Sequence, residues 1–142
     1  MKTNHCKQST TSVIGMTLIE LVIVVAIISL LAAIAYPNYQ GYLLRGERTT
    51  ALADLALIQL EIERNYQTSY LQASEGVINQ GRCNGCQSSP RQYTLSLSAT
   101  EDGYIISATP IGTQRHDRCA EVSYQQLSLD HTGNQQPARC WK

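Results

Sequence analysis

Glu20 makes the strongest chemical demand of any residue in this chain. It is the one charged residue in the twenty residues from Met16 to Ala35, which are otherwise almost entirely apolar. A helix of that length spans about 30 Å, the thickness of a bilayer core. An unpartnered carboxylate inside a membrane costs about 2.5 kcal/mol or more, so such a residue is a candidate functional residue. The sequence therefore predicts a membrane-spanning helix that carries a functional charge near its start.

The positions of the five cysteines relative to the apolar run indicate their redox state. Cys6 precedes the run together with Lys2 and Lys7 and no acidic residue, and such a basic end stays in the cytoplasm. Four cysteines follow the run and would be exported: Cys83, Cys86, Cys119 and Cys140. An even set of cysteines in an oxidising compartment predicts two disulfide bonds.

The segment Cys83–Cys86 contains Asn-Gly, a strong tight-turn signal, so a disulfide across this short loop is the favoured interpretation. A redox centre would need a helix after the first cysteine, and a zinc site would need two further ligands with a matching spacing. Both remain less favoured alternatives. Four cysteines allow three pairings, of which we favour Cys83–Cys86 with Cys119–Cys140.

The charge balance excludes a protein that binds nucleic acid through bulk charge. The formal net charge is zero, and the chain after Lys7 carries nine basic and eleven acidic residues, so DNA contact would need a local patch. Basic residues flank both ends of the segment from Cys119 to Cys140, where a disulfide would gather them: Arg115, His116, Arg118, Arg139 and Lys142. Asp117 and Glu121 lie among them, so a solvated loop of mixed charge is the alternative.

The sequence after the apolar run shows no catalytic motif. It contains no Ser/His/acid set, no phosphate-binding glycine loop and no dense carboxylate cluster. We therefore expect neither an enzyme nor a bound metal or other cofactor.

The hydrophobic pattern predicts one long helix from about Thr17 to about Tyr66. Pro37 should kink this helix, because proline lacks an amide hydrogen and crowds the preceding turn. Beyond Pro37, apolar residues recur on one helical face: Leu44, Ala51, Leu55, Ile58, Ile62 and Tyr66. This face is expected to be the core that a sheet covers, with charged residues such as Arg48 and Asp54 mainly on the other faces.

Residues 67–91 lose this periodicity and are predicted to be a connecting loop. Three strands follow: Tyr93–Ala99, Tyr104–Thr109 before Pro110, and one within Val122–Asp130 with Leu127 and Leu129 facing inward. Short turns between these strands favour antiparallel hairpins laid on the helix.

The N-terminal segment resembles the start of a type IV pilin. The resemblance lies in Gly15-Met16-Thr17-Leu18-Ile19-Glu20-Leu21, the apolar run, and Ala35-Tyr36-Pro37-Asn38-Tyr39. It implies cleavage by a prepilin peptidase between Gly15 and Met16, N-methylation of Met16, and assembly of subunits into a filament. Glu20 would be the fifth mature residue, placed to neutralise the Met16 amine of the same or a neighbouring subunit.

The remainder resembles PilE-type minor pilins, a group that includes the ComP DNA receptors of natural competence. The likeness rests on short words: a tyrosine-led first strand, Ala108-Thr109-Pro110, Cys119, Thr132-Gly133 and Cys140-Trp141. It implies an α+β pilin fold, with one long kinked N-terminal helix packed against a small antiparallel sheet of three to four strands. The expected divisions are a cleaved leader at 1–15, an apolar helix half at 16–43 and a periplasmic globular head at 44–142.

The leading functional interpretation is a minor pilin that supports pilus assembly, and through it motility, adhesion or DNA uptake. One alternative is a DNA-binding competence pilin that uses the basic patch. Another is a type II secretion pseudopilin, which shares the processing motif but generally lacks the terminal disulfide loop. The resemblance implies other pilin subunits, a prepilin peptidase and an inner-membrane assembly platform as partners, with DNA as a further candidate. It places the protein in the bacterial inner membrane, with its head in the periplasm, and then in an extracellular pilus.

Overall fold

The computed structural model describes residues 15–142. The predicted leader lies outside the described residues apart from Gly15, and so do Lys2, Cys6 and Lys7. The chain divides into two units, and the boundary between them follows Pro37.

Helix α1 (Leu18–Asn65) confirms the predicted long helix to within one residue at each end. The Thr17 hydroxyl accepts a hydrogen bond from the Glu20 amide at 3.3 Å, which satisfies one of the free amides of the first turn. Glu20 in the first turn and Arg64 in the last both complement the helix dipole. Pro37 lies inside α1 and does not end it, whereas the kink expected there stays a prediction.

The part of α1 before Pro37 has no buried face. Its large apolar side chains are all exposed, from Leu18 at 83% to Val24 at 40%. Among the described residues, α1 is the one helix that is long and apolar enough to cross a membrane, by length and composition. Apolar surface of this extent is characteristic of a segment that is covered by lipid or by other protein chains.

Beyond Pro37, the predicted helical face is buried. Ala51, Leu55, Ile58 and Ile62 are at most 1% exposed, and they account for about three turns of helix. The two ends of the face are less covered, because Leu44 is partly buried and Tyr66 is 44% exposed.

The remaining elements follow in chain order. Helix α2 (Tyr70–Ala73) precedes a hairpin of β1 (Ile78–Asn79) and β2 (Arg82–Cys83), then β3 (Tyr93–Ala99) and β4 (Tyr104–Pro110). A 3₁₀ turn (Gly112–His116) leads to a second hairpin of β5 (Arg118–Cys119) and β6 (Val122–Ser123). Strands β7 (Leu127–Asp130) and β8 (Gln135–Gln136) precede a last 3₁₀ turn (Ala138–Cys140).

Four antiparallel strands form the main sheet, in the spatial order β3-β4-β7-β8. The inner face of the sheet packs on α1 and carries buried side chains that include Tyr93, Leu95, Ile106, Leu127 and Leu129. The three predicted strands and the inward positions of Leu127 and Leu129 are confirmed. The fold is α+β, with a four-stranded antiparallel sheet on one long helix.

The prediction of a plain loop over residues 67–91 was wrong, since this segment contains α2 and the β1–β2 hairpin. Ser69 caps α2 by accepting a hydrogen bond from the Gln72 amide. Gln80 and Gly81 both have positive φ at the hairpin turn, at 51° and 76°. Two-residue strands are too short to show an alternating pattern, which is why periodicity did not indicate them.

Candidate functional site

The predicted processing site lies at the exposed start of the described chain. Gly15 and Met16 precede α1, and Met16 is 65% exposed. The Glu20 side chain is exposed in the first helical turn, and its carboxylate has no hydrogen-bond partner among residues 15–142. An exposed peptide bond outside the helix is accessible to a peptidase. The roles of Gly15, Met16, Glu20 and Pro37 in processing and assembly stay predictions.

The structure joins Cys83 to Cys86 and Cys119 to Cys140, the two pairs that the sequence favoured. The second disulfide is buried, with both cysteines 2% exposed, and it ties β5 to the last 3₁₀ turn. While Cys83 and Cys86 are joined in a disulfide, neither offers a thiolate ligand to a zinc ion. The described part of the chain holds no group of three or more His, Cys, Asp or Glu side chains arranged for a metal.

Asp54 holds the Cys83–Cys86 loop against α1. Its two carboxylate oxygens accept hydrogen bonds from the amides of Gln87 and Ser88, at 2.9 and 2.8 Å. Asp54 is 2% exposed, so its assignment to an outer helical face was wrong. Asp54 was expected at the surface because it is charged. Its burial is possible because two backbone amides donate hydrogen bonds to its carboxylate.

A buried ion pair joins α1 to the segment before β5. Arg48 Nη1 lies 2.9 and 2.7 Å from the two oxygens of Asp117, and it also donates to the Arg118 carbonyl. Asp117 is 4% exposed, and the Arg48 side chain is 15% exposed. From the sequence, Arg48 was expected on an outer helical face, and the charge of Asp117 was expected to oppose a basic patch. Because Arg48 neutralises Asp117 below the surface, that negative charge is not presented to solvent.

Two tyrosines extend this ion pair into a hydrogen-bonded network. The Tyr124 hydroxyl donates to Asp117 at 2.7 Å and is hydrogen-bonded to the Tyr93 hydroxyl. Gln114 is fully buried and donates to both the Tyr93 hydroxyl and the Leu44 carbonyl, at 2.9 Å each. Burial raises the pKa of Tyr93 to about 12. Burial, together with hydrogen bonds to Tyr93 and Asp117, also raises the pKa of Tyr124.

The structure brings Arg118 and Arg139 to the same disulfide. They directly adjoin Cys119 and Cys140, whose Cα atoms are 5.1 Å apart. Both arginines are exposed, and neither guanidinium has a hydrogen bond or ion pair with another described residue. These two predicted DNA-binding residues therefore present two unpaired charges beside the same disulfide, a surface that we call the disulfide end of the head.

The other predicted basic residues are less closely associated with this disulfide. Arg115 and His116 belong to the 3₁₀ turn Gly112–His116, and His116 lines a different groove, beside Leu43 and Glu47 of α1. Lys142 is exposed two residues after Cys140. Of the five basic residues that were expected to cluster, only Arg118 and Arg139 directly adjoin the disulfide. Lys142 is close to them in the chain, and His116 lies at another surface.

A cleft of about 650 Å³ opens beside Arg139. We name it the glutamine cleft after its defining residues: Ser123, Tyr124, Gln125, Gln126, Gln136 and Arg139. No carboxylate is among the described residues that line it. The exposed side chains of Gln125 and Gln126 have no hydrogen-bond partner within residues 15–142. Amides supply both donors and acceptors, so the cleft offers free polar groups of either kind.

Sequence reasoning missed the glutamine cleft. Its glutamines come from two segments, Ser123–Gln126 and Gln135–Gln136, which flank the buried strand β7. The available signal was a run of uncharged polar residues on each side of one predicted strand. Pairing of β7 with β8, with Ser128 opposite Gln136, brings the two runs together.

An exposed apolar helix segment and a disulfide-bonded α+β head are features of filament-forming pilins. Residues 13–36 match a family model described as the prokaryotic N-terminal methylation motif. Residues 37–123 match the family described as "Type IV minor pilin ComP, DNA uptake sequence receptor", which covers more than half of the chain. The protein belongs to this family of type IV pilins.

Several curated relatives are similar to parts of the chain. A fimbrial protein of Pseudomonas aeruginosa is 36% identical over 87 residues, which cover 61% of this chain and 49% of that protein. One FimA major fimbrial protein of Dichelobacter nodosus is 45% identical over 62 residues, covering 44% and 37% of the two chains. Another FimA of that organism is 30% identical over 120 residues, covering 79% and 67%. The chain thus spans about half or less of the first two relatives.

Among solved structures, a type IV pilin from Shewanella oneidensis aligns with a TM-score of 0.48 and 25% identity, over 70% of this chain and 98% of that chain. The named curated relatives are all fimbrial proteins.

Proposed function

We propose that this protein is a minor pilin that carries a DNA-binding surface on its head into a type IV pilus. The family matched by residues 37–123 is described as a DNA uptake sequence receptor, which favours this function over a purely structural subunit. The observation that carries the proposal is the charge arrangement at Cys119–Cys140, where Arg118 and Arg139 are exposed and unpaired while Asp117 is buried against Arg48.

Assembly depends on the N-terminal segment. A prepilin peptidase cleaves between Gly15 and Met16 on the cytoplasmic side of the inner membrane and methylates Met16. An assembly platform then moves the subunit from the membrane into the pilus, where the exposed apolar surface of α1 is covered by other pilin subunits. Glu20 pairs with a Met16 amine, so that only correctly registered helices avoid an unpaired buried charge.

DNA capture depends on the disulfide end of the head. Arg118 and Arg139 contact phosphate oxygens, since guanidinium groups bind phosphate with directed hydrogen bonds. Arg115 and Lys142 add charge at the margin of this surface. Net charge near zero limits attraction of DNA to the remaining surface, so contact is confined to this end.

DNA binding is tested with the mature full chain in nonionic detergent and a labelled DNA duplex, by fluorescence anisotropy at several salt concentrations. Arg118→Gln and Arg139→Gln should each weaken binding and lower the slope of log affinity against log salt by about 1. Arg64→Gln is the matched control, because it removes the same charge from an exposed residue at the end of α1.

If Arg118→Gln and Arg139→Gln both leave the salt slope unchanged, these arginines do not contact DNA phosphates. Loss of affinity in the Arg64→Gln control to the same extent would mean that net charge, and not position, governs binding. Absence of binding by the unmodified protein at about 50 mM salt would reject a DNA-binding pilin altogether.

A further inference from the structure

We propose that the glutamine cleft holds one unpaired nucleotide of a single-stranded DNA segment and reads its base through side-chain amides. This inference rests on the proposed DNA-binding function and assigns a second, base-contacting role to a site next to the phosphate-contacting arginines.

The shape of the site selects the kind of DNA. The cleft is a recess open to solvent, and its volume of about 650 Å³ is large enough to admit a nucleobase. A side chain that reads a duplex must reach into a groove roughly 8.5 Å deep, whereas these glutamines line a recess. A base that is not paired projects from its strand and can enter such a cleft.

The free polar groups suit a base edge. Gln125 and Gln126 are exposed and carry amides without a partner among the described residues. Gln136 of β8 also lines the cleft, and its amide nitrogen donates to Asn134 at 3.3 Å, which leaves its amide oxygen as an available group. A glutamine amide can donate to and accept from the same base, as in its bidentate pairing with adenine. The Tyr124 hydroxyl is already bonded to Asp117 and Tyr93, so the amides are the groups available for recognition.

The charge of the site suits the phosphates on either side of that base. Arg139 lies on the cleft wall, and no carboxylate is among its described lining residues. Arg118 lies opposite Ser123 in the β5–β6 hairpin, so directly paired positions place this second arginine next to a residue of the cleft. An anionic strand is a better occupant than a neutral sugar, because its phosphates add charge attraction to the hydrogen bonds that two unpaired guanidinium groups donate.

The walls of the cleft are held in place before any ligand binds. Tyr124 is fixed by its two hydroxyl contacts, β8 is paired to β7, and Arg139 precedes the disulfide-bonded Cys140. Because these walls are already ordered, binding loses less conformational entropy, and more of the free energy of the contacts appears as affinity.

The test compares single-stranded 12-mers of dA, dC and dT with a duplex of equal length, using the mature full chain in detergent. Gln126→Ala and Gln136→Ala should weaken single-strand binding by about tenfold and reduce the preference among the three strands, with less than about a twofold effect on the duplex. Gln135→Ala is the matched control, because neighbouring strand residues face opposite ways and Gln135 is not in the cleft lining. Thermal unfolding of each variant verifies that the fold is unchanged.

Single-strand affinities of Gln126→Ala and Gln136→Ala equal to that of Gln135→Ala would overturn the inference and leave the proposed function intact. An equal loss on single strands and duplex would also overturn it, since the glutamines would then contact the DNA backbone. Binding of chitotetraose that depends on Gln126 and Gln136, without any effect of either variant on DNA, would assign the cleft to a sugar. Failure of the unmodified protein to bind any of these DNAs would reject both the proposed function and this inference.

Discussion

Arg48 and Asp117 form an ion pair at 2.7 Å although 69 residues separate them in the sequence. The pair connects α1 to the segment before the Cys119–Cys140 disulfide. Because Asp117 also accepts a hydrogen bond from Tyr124, the same pair supports one wall of the glutamine cleft. The buried Asp117 carboxylate therefore links α1, the segment before the Cys119–Cys140 disulfide and the glutamine cleft.

Removal of Arg48 should strongly destabilise the head. Arg48→Met leaves Asp117 buried without its cation, and breaking a buried ion pair in this way typically costs about 3–5 kcal/mol. The free energy of unfolding of the full chain in detergent, measured with urea, checks this value.

Arg64→Met provides the control for that experiment. The pair of Arg64 with Glu61 is exposed, at 70% and 39% of the two side chains, and such pairs contribute about 1 kcal/mol or less. A combined Arg48→Met and Asp117→Asn variant should be more stable than Arg48→Met alone, because it no longer buries an unpaired charge. Equal costs for Arg48→Met and Arg64→Met would contradict a stabilising role for the buried pair.

The two disulfides should contribute unequally to stability. In the chain-entropy description, the Cys119–Cys140 bond, with a sequence separation of 21, stabilises by about 3 kcal/mol. The Cys83–Cys86 bond closes a much shorter loop, so its contribution should be roughly 2 kcal/mol. Paired Cys→Ser variants measured by urea unfolding test the order, and a larger loss from Cys83–Cys86 would show that loop length does not control it.

Most of the fold followed from periodicity. The helix, the three longer strands and the buried positions of Leu127 and Leu129 were predictable, because burial repeats every three or four residues in a helix and every two in a strand. The N-terminal methylation motif, which residues 13–36 match, was recognisable by its resemblance to pilins from Gly15, Glu20 and the apolar run.

The polar interior was not predictable in the same way. A periodic pattern assigns charged residues to the surface, so it placed Arg48 and Asp54 outside although each finds its partners far along the chain. The Cys119–Cys140 disulfide places Arg118 and Arg139 beside one covalent link, but the direction of each basic side chain depends on local turns. His116 faces the groove beside α1 for this reason. The glutamine cleft required the pairing of β8, a strand of two residues.

Stability should decline in alkaline solution. Tyr93 has a pKa of about 12 in the folded protein against an ordinary value of 10.0, and the pKa of Tyr124 is also raised. Below pH 10 the folded and the unfolded protein both keep the hydroxyl protons of Tyr93 and Tyr124, so the two tyrosines make their full contribution to stability. Above pH 10 the unfolded chain releases protons that the folded chain retains, and stability therefore falls as pH rises toward the folded pKa values.

The shift of Tyr93 alone accounts for a loss of roughly 2–3 kcal/mol by about pH 12. Unfolding free energy measured from pH 8 upward should be level to about pH 10 and then decrease. Tyr93→Phe should make that decrease smaller, whereas Tyr42→Phe, at a residue 74% exposed, should leave it unchanged. A decline of the same steepness in Tyr93→Phe would show that other groups control the alkaline transition.

Asp54→Ala should loosen the Cys83–Cys86 loop. The substitution leaves the amides of Gln87 and Ser88 without their acceptors, at a cost of about 1–3 kcal/mol for each group that stays buried. Hydrogen exchange of these two amides should become faster, while the amides of β4 keep their protection. Asp54→Asn retains one acceptor oxygen and should give an intermediate effect, and unchanged exchange in Asp54→Ala would mean that the loop is held by other contacts.

Glu20→Ala should separate processing from assembly. Glu20 lies five residues beyond Gly15, and its carboxylate has no hydrogen-bond partner in the described chain, so its loss should leave the fold and the peptidase cleavage largely intact. In a filament, the Met16 amine would then be buried without an opposite charge, at a cost of several kcal/mol. The variant should accumulate as mature subunit in the membrane and be depleted from sheared pili, as measured by quantitative immunoblotting of both fractions. Glu20→Gln preserves the side-chain shape without the charge and should fail in the same way, whereas Glu20→Asp should recover part of the incorporation. Normal incorporation of Glu20→Gln would show that packing, and not charge, is what Glu20 supplies.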